Sequence, residues 1–142
     1  MQIERTVRTD RPIDQVFAYL SDFTTTADWD PGTVRVERES GDGGVGTTYH
    51  HVSTFLGRET ELTYTVIDLV PNERISLRGV NKTVTGQDTM SVRSVGGGTE
   101  VTYAAEFEFR GIAKYLGPLL RPALNKLGND GQAGMTAALA RL

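Results

Sequence analysis

From Thr33 to Arg110 the chain offers no stretch with a helical period, and turn signals break it about every 10–15 residues. Strand-like segments that follow one another this closely can pair only as an antiparallel meander, because parallel neighbours need a long crossover. The segments are 33–40, 47–56, 58–70, 73–80, 84–94 and 99–110. Between them lie Gly41-Asp42-Gly43-Gly44, Leu56-Gly57, Pro71-Asn72 and Gly96-Gly97-Gly98. A two-residue turn at Leu56-Gly57 pairs Phe55 with Arg58, His51 with Leu62 and Tyr49 with Tyr64. A two-residue turn at Pro71-Asn72 pairs Val66 with Leu77 and Tyr64 with Gly79. A turn centred on Gly96-Gly97 pairs Val92 with Val101, Met90 with Tyr103 and Asp88 with Ala105. All three registers send the apolar residues to one face, which is then buried, and leave Glu, Thr, Ser and Arg on a solvated face. In the segment 33–40, Val34 and Val36 are expected on one face.

Before this run come a strand at 2–9, a helix at 12–21 with Pro12 in its first turn, and a helical turn over 22–32 stopped by Asp30-Pro31-Gly32. After it, Gly111–Leu142 is the only segment long enough for a multi-turn helix. Leu116, Leu120, Leu124 and Leu127 share one helical face, and the register continues through Gly131, Gly134, Ala138 and Leu142. Pro118 suits a first turn, with Gly117 before it as a cap, and Pro122 should bend or restart the helix. The face is bare at Gly131 and Gly134. Interiors pack densely, so either sheet backbone comes very close there or a hollow is left. Of the two, the hollow is favoured.

At 142 residues the chain has the length of one domain, 1–142, large enough for a real core. Fifteen Lys and Arg against eighteen Asp and Glu give a net charge of −3, which argues against nucleic acid as a partner. There is no cysteine, hence no disulfide frame and no thiolate chemistry. No run of eighteen apolar residues occurs, so stable membrane insertion is not expected, and a cytoplasmic location is the default. No HExxH, no pair of inward histidines and no G-x-S-x-G motif is present, so neither a metal site nor a nucleophile elbow is expected.

The opening strand, RPIDQVFAYLSDFTTTADWDPG, FLGRETELTYTVIDLVPNERISLRG and GGTEVTYAAEFEFRG before a terminal helix together resemble the polyketide cyclase/dehydrase and lipid transport group of the START-like (SRPBCC) superfamily. The resemblance spans essentially the whole chain. It implies an α+β helix-grip fold: a seven-stranded antiparallel sheet curled around a long C-terminal helix, with two short helices after the first strand. It also implies a cavity between sheet and helix for a hydrophobic small molecule, and no cofactor. Members include aromatase/cyclases, lipid carriers, hormone receptors and coenzyme-Q-binding proteins, so fold alone does not decide function.

The residues expected around such a cavity are Tyr49, His51, Leu62, Tyr64, Leu77, Asp88, Met90, Tyr103, Phe107, Leu127, Gly131 and Gly134. Tyrosines suit a pocket lining, an apolar body with a polar tip, although buried hydroxyls usually find backbone partners. His51 is either a general base or a structural pocket donor. An inward carboxylate at Asp88 must be paired, protonated or wetted, unless a bulge turns it outward; Arg5 is a candidate partner. Trp29 either covers the mouth or staples the second helix to the sheet, with the staple preferred. The expected function is binding or transport of a lipid- or polyketide-type molecule, by a monomer or homodimer. The alternative is a polyketide aromatase/cyclase or dehydratase with His51 as base and Tyr64 or Tyr103 holding an enolate. A protein-interaction module ranks third.

Overall fold

The computed structural model of the protein describes residues 1–142. In chain order the elements are β1 (Gln2–Thr9), α1 (Ile13–Ser21), a 3-10 turn (Phe23–Thr25), α2 (Thr26–Trp29), β2 (Thr33–Ser40), β3 (Thr48–Phe55), β4 (Arg58–Val70), β5 (Arg74–Val80), β6 (Val84–Val95), β7 (Gly98–Phe109) and α3 (Ala113–Ala140). The seven strands form one antiparallel sheet in the order β1-β7-β6-β5-β4-β3-β2. The meander runs from β2 to β7, and β1 adds to its far side.

All the named registers are present. Phe55 faces Arg58, His51 faces Leu62, Val66 faces Leu77, and Asp88 faces Ala105. The turn at Leu56-Gly57 has both residues at positive φ, which suits the twist of a tight hairpin. The β4–β5 connection differs from expectation. Val70 pairs with Arg74, so the turn holds three residues rather than two, with Asn72 at positive φ. A bulge between Val66 and Asp68 then restores the expected register further along, and the extra residue, Ile67, is left exposed. A second bulge between Thr33 and Arg35 turns Val34 outward, so Val34 and Val36 do not share a buried face.

Pro12 stands just before α1, at its N-cap position and not in its first turn, and the helix buries Val16, Phe17 and Leu20. They join one core cluster with Val7, Phe23, Tyr49, Leu77, Met90, Met135 and Leu139. The core thus fills the half of the interior beneath the C-terminal end of α3.

The long helix begins at Ala113, earlier than expected. Gly111, at positive φ, turns the chain directly out of β7, so Gly117 is no cap and Pro118 and Pro122 both lie inside the helix. Leu116, Tyr115 and Leu119 in its first turns are exposed. The buried stripe runs Gly117, Leu124, Gly128, Gly131, Met135, Ala138 and Leu139. The helix leans on β1, while α2 lies between it and β2. Helices therefore link the two edge strands of the sheet. Two glycines make this packing possible. A Cβ at Gly128 would lie 2.6 Å from the Ile3 side chain on β1. A Cβ at Gly134 would lie 2.9 Å from the Trp29 carbonyl carbon and nearer still to its oxygen. At Gly134 the bare helix face is thus covered by the α2 backbone, and at Gly128 by β1, whereas Gly131 meets only the Trp29 ring at ordinary contact distance. No hollow lies under Gly134.

No helix is long and apolar enough to cross a membrane.

Candidate functional site

The unfilled space lies further towards the start of α3, under Leu124 and Leu127. It is a cavity of about 130 Å³ between that helix, α2 and the ends of β3, β4, β6 and β7. Its walls are mainly Phe23, Trp29, Leu62, Tyr64, Tyr103, Phe107, Phe109, Leu124 and Leu127, with His51, Asp30 and Asp88 among them. A smaller pocket of about 30 Å³ adjoins it, lined by Gly128 and Gly131 and sharing Trp29, Asp30, Tyr103, Phe107 and Leu127.

Local structure explains how each wall residue arrives. Tyr64 on β4 lies opposite Gly79 on β5, and its ring occupies the space a side chain at Gly79 would take. The ring is thereby held against the sheet, 5.2 Å and edge-on from His51 and 4.8 Å from Phe23. Trp29 ends α2 and meets the Tyr103 ring edge-on at 5.7 Å. It both staples α2 to the sheet and α3 and forms part of the cavity wall.

The bulge at Val34 turns Thr33 inward to within 3.0 Å of His51 Nε2. The Thr33 hydroxyl donates to Asp30 Oδ2 at 2.8 Å, and Asp30 Oδ1 accepts the Gly32 N–H. A threonine hydroxyl has one proton. Since it goes to Asp30, His51 must donate through Nε2–H, which leaves Nδ1 as a bare acceptor. Nδ1 has no partner. Burial, and then the neighbouring charge of His50, pull the His51 imidazole down to about 4, so the ring is neutral at ordinary pH.

Asp88 faces inward and is buried, with Tyr103 donating to its Oδ2 at 3.3 Å and Oδ1 unpartnered. Burial pushes its carboxyl up to about 7; the Tyr103 hydrogen bond opposes this and the charge of Asp30 adds to it. Burial also raises Tyr64 and Tyr103 well above the ordinary phenol value, with Asp88 as the next cause. Arg5 is not the partner of Asp88. Its guanidinium donates to the Asn129 side chain and the Asn125 carbonyl on α3 and to the Glu4 carbonyl on β1.

The structure brings His51, Leu62, Tyr64, Asp88, Tyr103, Phe107 and Leu127 together around one cavity, the last from α3 and the others from the sheet. Tyr49, Leu77 and Met90 face the same way but are sealed in the core cluster beside it, and Gly134 is covered by Trp29.

The family model for polyketide cyclase / dehydrase and lipid transport matches residues 1–142. The chain belongs to that family. No curated protein matches its sequence. Among solved structures it resembles the Zhui aromatase/cyclase from Streptomyces sp. R1128, with a TM-score of 0.82 and 18% identity over 98% of this chain and 93% of that one. It also resembles TTHA0849 from Thermus thermophilus (TM-score 0.79, 14% identity, 98% and 95% covered). A third is the di-domain ARO/CYC BexL from the BE-7585A biosynthetic pathway (0.73, 14%, 96% of this chain and 49% of that one). At such identities the likeness is one of fold.

Asp30 and Thr33, which sequence reasoning passed over, anchor His51. The signal lay in Trp29-Asp30-Pro31-Gly32, the segment that also carried the family resemblance. Phe23, Thr26, Ser53, Phe55 and Leu124 line the cavity as well. No group of three or more His, Asp or Glu side chains is placed to hold a metal ion.

Proposed function

We propose that the protein binds a compact hydrophobic small molecule in the cavity beneath Leu124 and Leu127. The observation that carries this reading is unfilled, mostly apolar volume in a chain whose remaining interior is packed. Its size, about 130 Å³, is near that of the roughly 150 Å³ apolar cavity known to take benzene. Burying one aromatic ring removes about 150–250 Å² from water, which at about 25 cal/mol per Å² is ~4–6 kcal/mol. That corresponds to a dissociation constant on the order of 0.1 mM.

A cyclase or dehydratase reading draws support from the bare lone pair of His51 Nδ1. Two features weigh against it. An imidazole held near 4 is a weak base, and the Tyr103 hydroxyl is already directed at Asp88 rather than free for an enolate. Binding is therefore preferred to turnover.

Titration of one-ring aromatics, followed by NMR of the labelled protein, is expected to shift signals from Leu62, Phe107 and Leu127. Leu127→Trp, which fills the space, is expected to weaken that binding at least tenfold while the fold is kept. Unchanged affinity in this variant would place the ligand elsewhere.

A further inference from the structure

We infer that the cavity selects neutral, single-ring hydroxyaromatic molecules and rejects carboxylates, a deepening of the binding reading above that rests on it. Five buried side-chain polar atoms in the protein lack a partner: Arg11 Nε, Thr26 Oγ1, Trp29 Nε1, His51 Nδ1 and Asp88 Oδ1. Four of the five belong to residues that line this one cavity, Thr26 and Trp29 from α2 and His51 and Asp88 from the sheet. Each of those residues is more than nine-tenths buried. An unpaired buried polar group costs about 1–3 kcal/mol, so four in one place mark a site whose partners arrive with a ligand.

Their chemistry is complementary to a hydroxyl group. Trp29 Nε1 can only donate. His51 Nδ1 can only accept, because Nε2–H is engaged with Thr33 and the Thr33 proton with Asp30. Thr26 Oγ1 can do either. Asp88, with Oδ2 taken by Tyr103 and its carboxyl held neutral up to about pH 7, presents a second donor below that pH. A phenolic oxygen both gives and receives a hydrogen bond and so matches this set. The ring is specified by the walls, where Phe23, Trp29, Tyr64, Tyr103, Phe107 and Phe109 present aromatic faces and edges.

The exclusion of carboxylates follows from charge. None of the nineteen lining residues is Lys or Arg, whereas two, Asp30 and Asp88, are acids. A fatty acid or benzoate-type anion would be desolvated beside these carboxyls with no counter-charge. The volume also has no room for a long acyl chain.

Three probes of equal ring size test this on the intact wild-type chain at pH 6.0, where the Asp88 carboxyl is neutral: toluene, p-cresol and p-toluate, titrated against labelled protein by NMR. The expected result is p-cresol about tenfold tighter than toluene, and no p-toluate binding at tenfold the p-cresol dissociation constant. His51→Leu is expected to shrink the p-cresol advantage over toluene, both measured in the same variant, to under twofold. If toluene binds as well as p-cresol, or p-toluate binds as well as either, the selectivity inference is overturned while the binding reading stands. If p-cresol keeps its full advantage in the His51 variant, the assignment of Nδ1 as its acceptor is overturned. If none of the three binds, both readings fall.

Discussion

Asp88→Asn is expected to stabilise the protein by up to ~4 kcal/mol above pH 7 and to change little near pH 3.5. The carboxyl titrates at about 7 when folded and 3.8 in the ordinary state. Below 3.8 it is neutral in both states and makes no difference. Between 3.8 and 7 the unfolded chain releases a proton that the folded protein retains, so stability falls by about 1.36 kcal/mol per pH unit. Above 7 both states are ionised and the accumulated cost is constant. Asparagine keeps an oxygen for the Tyr103 hydroxyl and cannot ionise, so the variant escapes that cost.

His51 acts in the opposite sense. Its value drops from 6.5 to about 4 on folding, so its contribution is complete above 6.5 and is lost as pH falls towards 4. Across 4–6.5 the two slopes nearly cancel, and the wild type hides both. Urea denaturation at pH 4, 5.5 and 8 separates them. The gain from Asp88→Asn should grow steadily along that series. His51→Gln should help most at pH 4 and least at pH 8. A gain from Asp88→Asn that is the same at all three pH values would mean the carboxyl is not desolvated on folding.

Those two residues also show where the sequence was legible. The inward direction of His51 and Asp88 follows from parity, and parity was set by the tight turns at Leu56-Gly57 and Gly96-Gly97. Alternation tells which face a side chain takes. It does not tell how far along the strand the packed core ends. Tyr49 lies two residues from His51, and Met90 two from Asp88, yet both sit in the core and not on the cavity wall. The boundary is drawn by Phe23, Met135 and the position of α2, which are tertiary facts. The β-bulges at Val34 and Ile67 are likewise invisible in a period-two pattern, because each adds one residue without a Gly or Pro to announce it. The first of them aims Thr33 at His51, and so alternation alone does not reveal the Asp30–Thr33–His51 chain, although the Asp30-Pro31-Gly32 stop marks the place. The terminal helix was readable as a helix, but its start was not. Pro118 looked like a first-turn residue, whereas Gly111 let the chain enter the helix directly from β7.

The sharpest test of that helix is a pair of substitutions with opposite expected signs. Gly131 and Gly134 are one turn apart, and the sequence favours a hollow over a close backbone approach at both. In a helix interior, Gly→Ala by itself stabilises by about 1 kcal/mol. At Gly131 the added methyl would lie 3.6 Å from Trp29 Cζ3, an ordinary contact, and would project into the 30 Å³ pocket. Gly131→Ala is therefore expected to raise stability by about 1 kcal/mol. At Gly134 the same methyl would run into the carbonyl of Trp29, which is backbone and cannot rotate away. Either α2 must lift off α3 or the helix must shift, and forcing extra atoms into a packed interior costs about 1–3 kcal/mol or more. Because α2 also carries Thr26, Trp29 and the adjoining Asp30, displacement there deforms the cavity wall itself. With the clash at the top of that range and the helix gain of about 1 kcal/mol set against it, Gly134→Ala is expected to lose about 2 kcal/mol net and to weaken ligand binding, while Gly131→Ala keeps it within a few-fold. Thermal denaturation of the two variants side by side decides the matter. A Gly134→Ala protein as stable as Gly131→Ala would mean that α2 does not rest on α3 and that the cavity has a different wall.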